Sequence, residues 1–352
     1  MDAGRAVDVV VVGAGASGLR LAGSLIQAGI STVVLEGRDR VGGRLFSVDP
    51  GVDLGATWFW HNEHDVREVI AECGLEVFPQ YAAGNMMFQV PGNVQELDGN
   101  PLDQQAFRIV GGMASLAHGL AAMLPEGTVQ LSTCVLSIDF AHDFAHEFAH
   151  EHVSVTTNSD TYRAKHVVIS VPPATALSNI VFTPDLPNEL VSVAVRTPVW
   201  MGAVTKVVAL YESPFWREQG LSGSAMSHVG PLREIHDISD RNASFGALFG
   251  FSRERVSEIS VKSQLAALFG PRAGMPNSII LEDWSESPLT SPPGVFQLND
   301  YQLFGSQVLR NAYFDGRLHF ASTETAIDSP GHVQGALAAA RATAANVVAS
   351  LR

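Results

Sequence analysis

Residues 9–18 read VVVVGAGASG, and this stretch decides the fold. Four consecutive β-branched residues are typical of a strand that is buried on both faces of a parallel sheet. The turn that follows carries Gly13, Gly15 and Gly18, and Leu19 begins a helical apolar pattern. The stretch therefore predicts the first strand, turn and helix of a Rossmann-like βαβ unit.

The next segment completes this unit and supplies an acid. Residues 32–35 read TVVL and predict the second strand, which Glu36 follows directly. Gly15 lets the backbone approach a pyrophosphate, and the helix that begins near Ala16 and Ser17 presents unpaired N–H groups to it. Glu36 has the position of the acid that accepts hydrogen bonds from ribose hydroxyls. Together these features predict a dinucleotide site.

Composition limits the remaining possibilities. The chain has 352 residues, 46% hydrophobic and 16% charged, which favours a globular protein of about two domains. A formal net charge of −14 gives no basic footprint for nucleic acid or for a membrane surface. No signal peptide or membrane-spanning stretch is predicted. Cys73 and Cys134 are expected to be buried thiols, so we expect a cytoplasmic protein.

Five further segments carry a resemblance that covers most of the chain in order. They read RDRVGGR at 38–44, VDLGATW at 52–58, RIVGGM at 108–113, MGAVTK at 201–206 and FASTETA at 320–326. With them, the sequence resembles the flavin-containing amine oxidase family, which includes monoamine and polyamine oxidases. In that family the corresponding loops bind FAD, so the resemblance implies FAD as the cofactor.

The cofactor-binding residues follow from the fingerprint and from the resemblance together. Val135 corresponds to the family's valine that holds the adenine, and Thr323 and Glu324 correspond to residues that bind the ribityl and phosphate region. The expected cofactor-binding residues are Gly13, Gly15, Ala16, Ser17, Gly18, Glu36, Gly37, Arg38, Gly42, Gly43, Arg44, Leu54, Gly55, Ala56, Thr57, Val135, Thr323, Glu324 and Val333.

Four residues are candidates for the catalytic end of the site: Lys206, His332, Trp60 and Trp284. A lysine inside an apolar strand is costly to bury without a partner. In the family the matching lysine contacts the flavin through water. Trp60 and Trp284, with Trp58 and His61, are expected to form an aromatic wall near the flavin ring. Plain core packing is the alternative for each tryptophan.

Two departures from the family pattern affect the expected chemistry. The stretch after Trp284 reads TSPPG at 290–294, with neither the cysteine that bonds the flavin in many members nor a cage tyrosine. We therefore expect non-covalent FAD. His332 stands where the second cage tyrosine would fall, and its imidazole could hydrogen-bond a substrate, act as a base or cap the following helix.

The predicted architecture is α/β, with a Rossmann-like FAD-binding domain and a second, smaller α+β substrate domain. The FAD-binding domain is assigned to residues 1–62, 106–175 and 300–352, and the substrate domain to residues 63–105 and 176–299. The expected activity is oxidation of the C–N bond of a small amine to an imine, with oxygen as electron acceptor. Two alternatives stay open: dehydrogenation or desaturation of a non-amine, and flavin binding with little turnover.

A Phe/His repeat at residues 140–152 interrupts an expected hairpin between residues 135–138 and 153–157. His142, His146 and His150 would share one face of a helix and could bind a surface metal. An expanded hairpin, or a helix that contacts a second subunit in a homo-oligomer, is the favoured interpretation. No metal is expected in the active site.

Overall fold

The computed structural model describes residues 5–141 and 152–352, so most of the Phe/His repeat lies outside the described residues. In chain order the α-helices are α1 (Ala16–Gln27), α2 (His64–Glu72), α3 (Ala114–Ala122), α4 (Pro173–Asn179), α5 (Asn188–Ala194), α6 (Glu258–Phe269), α7 (Gln307–Arg310) and α8 (Val333–Ser350). The strands are β1 (Arg5–Val12), β2 (Thr32–Leu35), β3 (Ser47–Val48), β4 (Val52–Asp53), β5 (Val77–Pro79), β6 (Asn85–Val90), β7 (Asn93–Leu97), β8 (Phe107–Ile109), β9 (Val129–Gln130), β10 (Val135–Asp139), β11 (Val153–Thr157), β12 (Thr161–Ile169), β13 (Val181–Thr183), β14 (Thr205–Tyr211), β15 (Leu221–Ser227), β16 (Glu234–Asp237), β17 (Gly246–Ser252), β18 (Ser278–Asp283) and β19 (Leu318–Phe320).

The first sheet has a parallel centre, as the βαβ signature predicts. Within the described ranges its order is β13-β10-β11-β12-β1-β2-β9, and β19 pairs with the second half of β12. Strand β1 runs parallel to β2 and β12, and β2 runs parallel to β9. The predicted hairpin is the antiparallel pair β10 and β11. The C-terminal ends of β1 and β2 face the candidate site.

Strand β1 is buried on both sides, which explains its continuous valine run. Val9 and Val11 pack in one apolar cluster with Leu19 of α1, and Leu337 of α8 belongs to the same cluster. Val10 and Val12 point to the opposite face and join a second cluster. The sheet is therefore covered by helices on both faces, with α1, α3 and α8 on one face and α4, α5 and α7 on the other.

Two glycines fix the ends of helix α1. An added Cβ at Gly18 would lie 2.0 Å from the carbonyl oxygen of Gly13, so only glycine lets α1 approach the turn after β1 this closely. Gly29 has φ +81° and follows the helix, and its N–H donates to the carbonyl of Ile26. A glycine with positive φ is a common way for a helix to end.

The second sheet contains seven strands among the residues described, in the order β18-β14-β17-β16-β15-β6-β7. It is mainly antiparallel, although β15 runs parallel to β6. Strand β14 lies next to the edge strand β18 and carries Lys206 between two paired neighbours, β18 and β17. Helix α6 packs against the face of the sheet opposite to the Lys206 side chain, and its apolar residues form a separate cluster with that face.

Strands β9 and β10 are separated by a turn: β9 ends at Gln130, Ser132 has φ +52°, and β10 begins at Val135. Strand β13 (Val181–Thr183) pairs with β10 of the first sheet although the predicted boundary at residue 175 assigns it to the other domain. No helix in residues 5–141 and 152–352 is long and apolar enough to cross a membrane.

Two buried histidines lie side by side in the first sheet, on β12 and β19. The ring centroids of His166 and His319 are 5.8 Å apart. Burial, with a smaller effect of neighbouring His166, lowers the pKa of His319 to about 4. Since the unfolded chain has a histidine pKa near 6.5, the unfolded state binds the proton more readily between these values. Acid therefore destabilises the folded protein in this range.

We expect the variant His319→Leu to lose less stability than the wild type when the pH falls from 7 to 5. The difference should reach a few kcal/mol, because the variant has no buried imidazole to protonate. Urea unfolding at the two pH values gives the free energies of unfolding. His118 is exposed on α3, so His118→Leu is the matched control and should behave as the wild type. Equal acid sensitivity of His319→Leu and wild type would contradict the interpretation.

Candidate active site

A cavity of about 350 Å³ opens at the C-terminal ends of β1 and β2. This is the position at which open α/β sheets bind nucleotides. All four candidate catalytic residues line the cavity: Trp60, Lys206, Trp284 and His332. Fifteen of the expected cofactor residues line it as well: Gly13, Gly15, Ala16, Ser17, Glu36, Arg38, Gly42, Gly43, Arg44, Leu54, Gly55, Ala56, Thr57, Thr323 and Val333.

One end of the cavity is a cradle of backbone groups. Gly15 precedes helix α1, and the loop that contains Gly42 and Gly43 lies against it. The N–H of Gly42 donates to the carbonyl of Ala14 at 2.8 Å, which holds the two loops together. Added Cβ atoms at Gly15 and Gly43 would meet no protein atom closer than 3.7 Å. These positions thus leave room for a ligand rather than for a side chain.

Glu36 closes this end with a nearly buried carboxylate. Its Oε2 accepts the N–H of Ala14 at 2.8 Å, and its Oε1 accepts the N–H of Arg38 at 2.9 Å. These bonds fix the carboxylate at the cavity wall. An acid that accepts hydrogen bonds from ribose hydroxyls needs such a position. A smaller cavity of about 50 Å³ continues past Glu36 and is bordered by Gly37 and Val135. Its place suits the base of a dinucleotide.

Glu324 has a different position from the one expected. Its side chain is fully buried and does not line the cavity. Both carboxylate oxygens accept hydrogen bonds from the guanidinium of Arg44, at 2.7 and 3.2 Å. Arg44 also donates to the carbonyl of Trp200 at 3.2 Å. Glu324 thus orients Arg44, which does line the cavity. Gly18 likewise serves packing and not the cavity wall.

Lys206 is buried at the opposite end, with 1% of its surface exposed. Its Nζ donates to the carbonyl of Gly55 at 3.0 Å and to the hydroxyl of Thr57. The ring of Phe249 lies 4.3 Å from Nζ. Removal from water lowers the pKa of Lys206 to about 7, and Asp53 opposes this shift only in part. The lysine is therefore positioned to exchange its charge near neutral pH.

Two further buried charged residues, Asp53 and Arg108, interact electrostatically with Lys206. Burial raises the pKa of the Asp53 carboxyl, and Oδ1 accepts from the hydroxyl of Ser47 and from the N–H of Met113. Burial also lowers the pKa of the Arg108 guanidinium, which donates to the carbonyl of Ser239 at 2.6 Å. Asp53 attracts the Lys206 proton and Arg108 repels it. Removal from water thus has the largest effect on the lysine charge, and the two buried neighbours adjust it in opposite directions.

One wall of the cavity is aromatic. The imidazole of His332 lies close to two indoles, with centroid distances of 5.4 Å to Trp60 and 6.1 Å to Trp200. Trp284 also lines the cavity and donates its indole N–H to the carbonyl of Leu54 at 3.1 Å. Trp58 belongs to the wall, but His61 is exposed and does not line the cavity. The expectation for His61 is therefore wrong: it lies beyond the wall, just before α2.

Helix α8 points its N-terminus into the cavity. His332 immediately precedes the helix, and the first helical residue, Val333, lines the cavity. The hydroxyl of Thr323 accepts the N–H of Gly331 at 2.9 Å and donates to the carbonyl of His332 at 2.8 Å. These bonds tie the residue-323 turn to the helix start. The positive helix end can stabilise negative charge on a bound ligand.

Sequence reasoning missed Trp200 and Glu63. Trp200 precedes the lysine-bearing strand by five residues, and a large aromatic next to Met201 and Gly202 was the signal available. Glu63 precedes α2 and lines the cavity. An acid at a helix start is ordinarily explained by the helix dipole, so nothing in the sequence indicated that Glu63 also lines the cavity.

The residues fit a flavin dinucleotide. A glycine cradle with an acid beyond it suits the pyrophosphate and ribose, and the cavity then extends to an aromatic wall with a buried cation. Neither cysteine borders the main cavity. Among the residues described, no group of histidines, cysteines and carboxylates could hold a metal ion. Fold and site together define a Rossmann-like flavoprotein oxidoreductase.

Comparison with known proteins gives the family. The profile described as "Flavin containing amine oxidoreductase" matches residues 16–109 and 94–348, and the chain belongs to this family. "Putrescine oxidase" of Kocuria rosea is 28% identical over 97% of this chain and 95% of that protein. "Probable flavin-containing monoamine oxidase A" of Dictyostelium discoideum is 26% identical over 94% and 95%. The structure of "Cyclohexylamine Oxidase from Brevibacterium oxydans IH-35A" has the same fold, with a TM-score of 0.82, 22% identity and coverage of 98% and 99%.

We expect Gly15→Val to weaken flavin binding by at least about tenfold, because the side chain fills the space that a pyrophosphate needs. The backbone at Gly15 is extended, with φ −77° and ψ −178°, so valine is tolerated. Equilibrium dialysis of flavin measures the loss, and circular dichroism verifies the fold. Gly23→Ala on the same helix is the control, since its Cβ would meet Leu124 only at 3.7 Å. Unchanged flavin affinity in Gly15→Val would refute the cradle assignment.

Proposed function

We propose that the protein is an FAD-dependent oxidase that converts the C–N bond of a small amine to a C=N bond, with oxygen as the electron acceptor. The amine loses two electrons and two protons, and oxygen takes them up as hydrogen peroxide. Family membership supports this reaction class. The observation that carries it is the convergence, in one cavity, of the glycine cradle, buried Lys206 and the aromatic wall around His332.

When bound, the flavin supplies the acceptor for the substrate's hydride and returns the electrons to oxygen. The chain's own contribution is binding, orientation and charge. We propose that FAD is held without a covalent bond, because Cys73 and Cys134 both lie away from the main cavity wall. Gly13, Gly15 and the Gly42–Gly43 loop would hold the pyrophosphate.

The substrate end would bind a neutral amine. Trp60 and Trp200 give the cavity apolar walls, and the imidazole of His332 contacts both indoles. A neutral amine has the nitrogen lone pair that assists hydride departure, whereas an ammonium ion does not. The wall therefore favours the reactive protonation state by making charge costly there.

Lys206 would serve the oxygen reaction. Its ammonium is held by Gly55 and Thr57 and borders the cavity, where it would stabilise negative charge on oxygen as oxygen is reduced. The fraction of Lys206 that carries the charge falls as the pH rises through about 7. The lysine would therefore act on reoxidation rather than on amine oxidation.

We also propose a division of labour between the two sheets. Residues 1–62, 106–175 and 300–352 would bind the flavin, and residues 63–105 and 176–299 would shape the substrate side. The cradle comes from the first group, and Lys206 with Trp200 comes from the second, which supports this division. Both cysteines are free thiols, which supports a reducing compartment such as the cytoplasm.

The rate of flavin reduction by an amine, measured without oxygen, should rise as the pH rises toward the pKa of that amine. The reason is that only the neutral amine donates hydride. Stopped-flow absorbance of the flavin gives the rate, and a second amine of lower pKa should shift the profile by the difference in pKa. A flat profile between pH 6 and 9 with a turning-over amine would count against the mechanism.

The variant Lys206→Met should reoxidise at least about tenfold more slowly with oxygen, because the cation is lost, while its anaerobic reduction changes little. Wild-type reoxidation should slow as the pH rises through about 7, and the variant should lack this dependence. Lys262 is half-exposed on α6, so Lys262→Met is the control. An unchanged reoxidation rate in Lys206→Met would remove the oxygen role.

Two alternative functions are separable by one screen. Anaerobic flavin absorbance is followed with a panel of amines and a matched panel of non-amines that have an activated C–H bond. Bleaching by non-amines alone would favour a dehydrogenase or desaturase. A yellow protein that no compound bleaches would favour a flavin-binding protein with little turnover.

A further inference from the structure

Glu63 is a buried carboxylate at the substrate end, and amine oxidation as described above does not use it. Its exposed fraction is 4%. Its Oε2 accepts the backbone N–H of Trp60 at 3.1 Å, and its Oε1 lies 3.1 Å from Nδ1 of His332. Both oxygens therefore have partners, and the carboxylate is fixed from two sides.

The contact with Glu63 determines which nitrogen of His332 carries the hydrogen. A carboxylate offers only acceptors, so Nδ1 of a neutral imidazole must be the N–H that donates to it. Nε2 is then left with its lone pair. Within residues 5–141 and 152–352, Nε2 has no hydrogen-bond partner, and His332 lines the cavity. The imidazole can therefore offer an acceptor to the ligand.

The ring is also restrained in orientation. The indoles of Trp60 and Trp200 contact it with centroid distances of 5.4 and 6.1 Å, at interplanar angles of 41° and 40°. The main chain of His332 is held by the hydroxyl of Thr323, which donates to its carbonyl. A swing of the imidazole away from Glu63 would break the hydrogen bond at Nδ1 and change both ring contacts.

Other charged groups nearby are already engaged. Asp65, two residues after Glu63, pairs with Arg341 and Gln334 of helix α8. Arg44 pairs with Glu324, and Lys206 donates to Gly55 and Thr57. None of these groups hydrogen-bonds the imidazole in the part of the chain that the structure describes. Glu63 is thus the group that sets its hydrogen position.

We propose that Glu63 is a specificity-determining residue: it holds His332 with Nε2 as a hydrogen-bond acceptor, so that the site selects amines with an N–H group. Primary and secondary amines satisfy this acceptor in their neutral form. A neutral tertiary amine has no N–H and leaves the acceptor unpaired, which costs affinity. The inference rests on the proposed amine oxidation and adds the substrate class to it.

The test compares a primary amine with its N,N-dimethyl derivative, at a pH where both are largely neutral. Saturation of anaerobic flavin reduction gives a dissociation constant for each amine. Wild-type protein should prefer the primary amine. In Glu63→Gln the amide can donate to Nδ1, which turns Nε2 into a donor. The preference should then fall about tenfold, with flavin affinity unchanged.

Two further variants make the result specific. Asp65→Asn removes a carboxylate from the same helix start without touching His332, and its preference should equal that of the wild type. His332→Phe should lose the preference, and Glu63→Gln should add nothing in that background, because Glu63 acts through the imidazole. Such a cycle distinguishes positioning from a general loss of packing.

The outcomes separate the two proposals. Reduction by both amines with an unchanged preference in Glu63→Gln would overturn the inference and leave amine oxidation standing. If Glu63→Gln changed the preference equally in the wild-type and His332→Phe backgrounds, the inference would also be overturned, and amine oxidation would still stand. A wild-type flavin that no amine reduces would refute the proposed function, and the inference with it.

Discussion

The ion pair between Arg44 and Glu324 joins the parts of the chain on which the site depends. Arg44 belongs to the loop after β2, Glu324 belongs to the turn before α8, and Arg44 also bonds the carbonyl of Trp200. A carboxylate with no exposed surface is stable only when it is paired and hydrogen-bonded. The pair therefore fixes the flavin-side loop, the C-terminal turn and the start of the lysine-bearing segment relative to one another.

The charge of Lys206 depends on electrostatic interactions in the buried interior of the protein. Lys206, Asp53 and Arg108 are all nearly or fully buried, so their mutual interactions are stronger than they would be in water. Removal from water is the largest influence on Lys206, and the two neighbours act on it in opposite directions. A lysine with a pKa of about 7 can hold or release its charge near neutral pH, whereas an exposed lysine stays charged there.

The substrate end of the cavity lacks the family's tyrosine but is still lined by aromatic side chains. The sequence has no tyrosine at the expected position, yet Trp60 and Trp200 place aromatic rings next to His332. The imidazole adds a polar atom that a plain aromatic wall lacks, and Glu63 fixes its hydrogen. The apolar walls and one oriented polar atom are the usual composition of a small-molecule site.

The sequence alone determined the nucleotide end, because residues 9–36 form a local unit in which each glycine and the terminal acid act through near neighbours. It also named Lys206, Trp60, Trp284 and His332, since a buried charge and a family resemblance leave signals at single positions. Only the tertiary structure decided the pairings. Glu63 and His332 are 269 residues apart, and Glu324 meets Arg44 rather than the cavity. Such contacts depend on how two sheets and helix α8 pack, and packing is a property of the whole chain that no local pattern records.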